Sequence, residues 1–233
     1  MHDIRQTDPE LAQLWQNFMD KDVTNRNIMP TNTRYLTVLA AHIATGSVNE
    51  YKNILTQALD NGVSPLEVKE ALYQSIPYAG MAKIYDFILV TNEVMLERGI
   101  KLPLEPQSTT NPQNRLDKGL KVQSHIFGAD NIANMRASAP KELKHIQDYL
   151  SANCFGDYYT RGTLDIPTRE LITLAVLISL GGADPQVKAH VGANLNVGNS
   201  REMLIELVTQ LLPYIGYPRS LNAIAAINEI AQE

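Results

Sequence analysis

The sequence predicts an all-α protein made of two tandem helical-bundle repeats. Three observations carry that expectation. "TRYLTVLAAHIATG", from Thr33, returns as "TRELITLAVLISLGG", from Thr168, with Thr, Arg, Leu, Leu, Ala, Ile and Gly at matching places. The shared apolar positions fall at helical spacing. No strand-type alternation or hairpin turn interrupts the chain.

The elements follow in order. "TDPELAQLWQNFM" offers Thr7 or Asp8 as N-cap and Pro9 in the first turn, since proline has no N–H to waste there. "SPLEVKEALYQSI" opens with Ser64 and Glu67 in capping-box order, and "NSREMLIELVTQLL" is expected to do the same with Asn199 and Glu202. Gly62 and Gly198, just ahead of these starts, suit the left-handed stop of a preceding helix. The duplication continues as Lys52, Leu59, Glu70, Gln74, Pro77, Tyr78 and Gly80, which recur as Lys188, Leu195, Glu206, Gln210, Pro213, Tyr214 and Gly216. One extra residue enters the second copy between Gly181 and Lys188. "KLPLEPQSTTNPQN" between the copies reads as a linker. The expected division is residues 1–101 for the first repeat, 102–113 for the linker and 114–233 for the second. Each repeat is small enough that its exposed helix faces need a neighbour.

Bulk properties narrow the function. The chain has 233 residues, 44% hydrophobic and 19% charged, with a formal net charge of −5. That balance suits an ordinary core, and the absence of a basic block disfavours nucleic-acid binding. The start, "MHDIRQTDPE", lacks the apolar core of a signal peptide, and "LITLAVLISLGG" is too short to cross a bilayer. A soluble, cytoplasmic protein without membrane partners is expected. Cys154 is the single cysteine, so neither an intrachain disulfide nor a thiolate metal cluster can form. The histidines at 2, 42, 125, 145 and 190 are scattered, with no paired spacing for a metal; no metal and no cofactor are expected.

From Asn114 onward the segments "RLDKGLKVQSHIFGAD", "FGDYYTRGTLD", "TRELITLAVLISLGG", "VKAHVGANLNVG" and "LLPYIGYPRSLNA" occur in this order. In that order they resemble the single-unit γ-carboxymuconolactone decarboxylases, of the carboxymuconolactone decarboxylase family within the alkylhydroperoxidase-like superfamily. The first copy resembles the same superfamily without the "GLKV" lead-in. Redox members carry C-x-x-C ahead of the histidine; here the loop reads "GGADPQVKAH". A thiol peroxidase is therefore excluded, because its nucleophile must be sulfur.

What remains is Glu170 and His190 on either side of the Gly181–Gly182 turn. At about 1.5 Å per residue they stand roughly 18 and 12 Å from the turn, so they meet if both face one groove. The first copy has Tyr35 and Ile54 there, so its site is degenerate. The resemblance implies a cofactor-free lyase that decarboxylates an unsaturated lactone acid, with His190 as general acid/base and Glu170 beside it. Arg161, in a turn and without a clear counterpart in the first copy, is a candidate grip for a substrate carboxylate. Tyr158, Tyr159 and Arg169 join it as candidate substrate contacts. Arg34 and Arg169 recur beside helix starts, which also predicts a shared structural role of pairing with an acid. The Glu70/Glu206 and Gln74/Gln210 pairs read as structural hydrogen-bonders, and Tyr78 and Tyr214 as helix-end packing. His42, aligned with Leu177, is expected to pack or face solvent. Two other readings stand beside the lyase: a non-catalytic oligomeric binding or scaffold protein, and a hydratase or isomerase on a related small acid or lactone. The resemblance also implies a homo-oligomer, three two-repeat chains completing a six-repeat ring.

Overall fold

A computed structural model describes residues 4–26 and 28–231. His2 lies outside the described residues. Among them the secondary structure is helical, with no strand. No described helix is long and apolar enough to cross a membrane.

After the short α1 (Ile4–Thr7), α2 (Pro9–Asn17) begins behind Asp8 and runs into a π-helical turn at 18–23. The first repeat then builds α3 (Thr31–Thr45), α4 (Val48–Asp60), α5 (Pro65–Ala79) and α6 (Met81–Glu97). Residues 102–111 form no helix. They lead to α7 (Arg115–Phe127), α8 (Ala129–Ser138) and α9 (Lys144–Tyr149), followed by a ten-residue π-helical segment, Leu150–Tyr159. The second repeat closes with α10 (Ile166–Leu180), α11 (Asp184–Asn196), α12 (Arg201–Ile215) and α13 (Tyr217–Ile230).

The capping chemistry is largely as expected. Ser64 and Glu67 form the reciprocal box at α5, which satisfies two otherwise orphaned N–H groups. Gly62 and Gly198 take φ of +88° and +98°. At α12 the expected cap is one residue early. Ser200, not Asn199, accepts from the Met203 N–H, so Glu202 is not at the position that closes a box. Asn199 is used otherwise: its amide donates to Pro167 O (3.0 Å) and to Asn194 Oδ1 (2.8 Å).

The repeats interlock rather than sit side by side. The duplicated helices α3 and α10 pack on each other, and each also packs against the third helix of the opposite repeat, α12 and α5 respectively. A single apolar core runs through both, from Leu36, Leu39 and Leu72 to Leu174, Leu207 and Leu211. Because α10 has buried residues on every face from Arg169 to Ser179, it reads as apolar all round and needs cover from both repeats.

A smaller cluster holds α7 against the π-helical segment: Ile126, Cys154, Phe155, Tyr159 and Ala193. Two glycines allow this approach. A Cβ at Gly119 would lie 1.8 Å from Ser151 O, and one at Gly156 would lie 2.3 Å from Arg115 O. The "KGLKV" and "FGDYY" segments therefore meet backbone to backbone, and this sets where Tyr159 stands.

Candidate active site

Asp165 caps α10 by accepting from the Thr168 N–H (2.9 Å), which starts the helix so that Glu170 falls in its second turn, facing α11. Glu170 Oε2 lies 2.7 Å from His190 Nδ1. The helical estimate of their heights above the Gly181–Gly182 turn thus brings them together. Asn194 fixes the register of the two helices by donating to Glu170 O (3.2 Å) and His190 O (2.7 Å).

The second oxygen of Glu170 accepts from the Tyr159 hydroxyl at 2.7 Å. Each hydroxyl has one proton to give, and this fixes the direction of the rest. Tyr159, having donated to Glu170, must accept from Thr173 (2.8 Å) and from Tyr78 (2.9 Å). Thr173 in turn accepts from the Gln74 amide (3.1 Å), and Tyr78 from the Cys154 thiol (3.6 Å). Every donor in the network points toward one buried carboxylate. Burial holds the Tyr159 and Tyr78 hydroxyls well above the usual phenol range, so both stay protonated donors. With Glu170 accepting at Nδ1, the imidazole carries its proton there. Nε2 has no hydrogen-bond partner among the described residues.

The ring of His190 stands between two aromatic edges, Tyr78 at 5.5 Å and Phe127 at 5.3 Å between centroids. Its residue is 6% exposed. No motif in the sequence marks either aromatic as part of a site. Tyr78, expected as helix-end packing, comes from the first repeat and bonds into the second repeat's network. Its signal lay in the tandem arrangement: a third helix exchanged between repeats carries its tyrosine to the other half's site.

The two arginines form a separate cluster. Glu70 takes Arg161 Nε at 2.9 and 3.0 Å on its two oxygens and Arg169 at 3.0 Å. Arg169 also donates to Gln74 Oε1 (3.0 Å) and to the carbonyls of Leu164, Arg161 and Gly162. It is fully buried. Arg169 is therefore corrected from a substrate contact to the internal clamp that joins the repeats, which bears out the acid-pairing expectation. Tyr159, 1% exposed and fully bonded, is likewise corrected to a donor for Glu170. Arg161 is committed to Glu70, with its outer edge bordering two clefts. Tyr158 is half-buried on one of them, near Asp157 and Arg115, and does not join the His190 network.

Arg161 does have a counterpart. Arg26 pairs with Glu206 at 3.3 Å just as Arg161 pairs with Glu70. The spacing of 135 residues that relates Arg34 to Arg169 also relates Arg26 to Arg161, so the duplication already contained this match. Arg34 departs from its twin: among the described residues it makes no ion pair and lies over the Tyr35 ring at 5.2 Å.

In the first repeat Tyr35 and Ile54, which stand where the second has Glu170 and His190, line a cavity of about 230 Å³ with Thr24, Arg34 and Tyr214. Thr24 stands where the second repeat has Tyr159. Cys154 is buried, and burial pushes its thiol up to about 12, far from the range of a reactive thiolate.

These features define a two-repeat all-α protein with one carboxylate-oriented histidine at the repeat junction. Residues 9–93 and again 144–229 match the carboxymuconolactone decarboxylase family, and the chain belongs to it. The chain is also similar to the 4-carboxymuconolactone decarboxylase of Acinetobacter baylyi (strain ATCC 33305 / BD413 / ADP1), at 28% identity over 123 residues. That match covers 53% of this chain and 91% of the relative.

Proposed function

We propose that the second repeat carries a cofactor-free carboxy-lyase site for a small unsaturated lactone acid of the carboxymuconolactone type. The observation that supports it is the Tyr159–Glu170–His190 line, which fixes one imidazole nitrogen and leaves the other to act. His190 is the general acid/base. As the bond to the departing carboxylate breaks, its electron pair spreads through the conjugated system onto the lactone carbonyl. Nε2 then delivers its proton to carbon, and Glu170 steadies the ring throughout. Glu170 and Tyr159 are positioning residues, and Arg161 and Arg169 act through Glu70 and Gln74. In this reading 1–101 is a repeat with a degenerate site, 102–113 a junction and 114–233 the repeat with the site. Three chains forming a six-repeat ring complete the proposal.

His190→Ala should lower carbon dioxide release from carboxymuconolactone by at least about 10²-fold while the helical content of the protein is kept. Near-normal turnover would overturn the assignment. The small exposure of His190 favours a second reading, a binding protein that kept the fold. That reading holds if the unaltered chain releases no carbon dioxide from the lactone.

A further inference from the structure

Lys69 is 6% exposed, and among the described residues it makes no ion pair; its ammonium donates to the Asn92 side chain. The adjacent Glu70 is the carboxylate already shared by Arg161 and Arg169. Two cations thus neutralise that acid, and Lys69 is left outside the pairing. Beside them opens a cleft of about 440 Å³, between α5, α6 and residues 102–107, within the usual range of small-molecule pockets. Glu105, exposed on its rim, is the other acid along its walls. Leu66, Ile88, Leu102 and Leu104 give the lining four aliphatic side chains.

A buried ammonium without a countercharge is costly, and burial pulls the Lys69 titration below the ordinary lysine range. An anion in the cleft would supply what desolvation removed. The feature is not duplicated. The position equivalent to Lys69 is Ile205, and only one inter-repeat segment exists to wall a cleft.

We propose that this cleft is a second, non-catalytic binding site for a monocarboxylate with an apolar body, its head held by Lys69 and the outer edge of Arg161. The class follows from the lining, which combines two cationic side chains with four aliphatic ones.

Octanoate is a suitable probe for titration calorimetry and thermal shift on the full chain. Saturable binding and a raised melting temperature are expected by mass action. Lys69→Met should weaken octanoate by at least about tenfold without lowering the melting temperature of the free protein, because it removes a desolvated charge. Leu104→Glu, on the half-buried junction segment, should weaken it as well through like-charge repulsion. His190→Ala should leave octanoate affinity unchanged, which separates this site from the proposed lyase site. The proposal falls if octanoate shows no saturation up to roughly 5 mM. It also falls if both cleft variants bind like the parent, or if inorganic phosphate binds as well as octanoate. Should Lys69→Met fail to fold, Leu104→Glu decides.

Discussion

His42 shows what one buried side chain costs. Its ring is 3% exposed, lies edge-on to Tyr214 at 4.8 Å, and both nitrogens lack a partner among the described residues. Of the two expectations for it, packing is the one realised. Burial lowers its pKa to about 4. The unfolded chain takes up a proton as pH falls through about 6.5, while the folded ring stays neutral until about 4. The unfolded state then binds more protons, so stability present above about pH 6.5 is lost as pH falls towards 4. His42→Leu, copying Leu177 of the other repeat, removes both orphaned nitrogens and this titration. In urea unfolding its stability relative to the parent should improve by about 2 kcal/mol more at pH 5 than at pH 7.5. An equal difference at both pH values would show that the ring is hydrated. Residue identity made Glu170 and His190 legible, because helical rise alone placed them at comparable heights. It did not reveal Tyr78 or Phe127. Their approach to His190 depends on which repeat packs on which, and periodicity within one repeat says nothing about that.

Helices and caps were legible because they depend on local chemistry: Ser64 with Glu67, or a helix ending at Gly62. The cap of α12 slipped from Asn199 to Ser200 because both residues can cap, and only the pull of Pro167 and Asn194 on Asn199 decided between them. Contacts between elements were less legible, and the α7 contact with 150–159 is the clearest instance. There the glycines matter for what lies across from them. Gly119→Ala would drive a methyl into Ser151 O and Gly156 N, both backbone atoms, so the helix must lift off the segment that carries Tyr159. A loss of roughly 3 kcal/mol or more is expected, seen as a lower melting temperature together with weakened turnover. Gly192, inside α11, is the contrasting case. A Cβ there meets only Ile230 Cγ2 at 3.7 Å, so Gly192→Ala should gain about 0.5–1 kcal/mol from helix propensity. Calorimetry on the two variants should give shifts of opposite sign. If Gly119→Ala melted with the parent, the packing account of "GLKV" would be wrong.

At the scale of the molecule, the interlocked core leaves apolar surface that the chain does not cover. Met81, Tyr85 and Leu89 form a stripe along α6, each at least 50% exposed. On α13, Tyr217 and Leu221 are 63% and 62% exposed. Met81 and Tyr217, like Tyr85 and Leu221, are 136 residues apart, the spacing that relates the later halves of the two repeats. The stripes are thus equivalent faces of equivalent helices, one on each repeat. A face that recurs within the chain can meet its counterpart on the next chain head to tail, and such contacts form a ring when the rotation closes. Three chains of 25.9 kDa would scatter as about 78 kDa, and the melting temperature should rise with protein concentration. Replacing Tyr217 and Leu221 together by lysine should put unpaired charge into that contact and return the mass to that of one chain, with helical content kept. If the parent protein scatters as a single chain at micromolar concentration, the ring is wrong. The stripes then need another partner, while the His190 network, which lies within one chain, is untouched by that result.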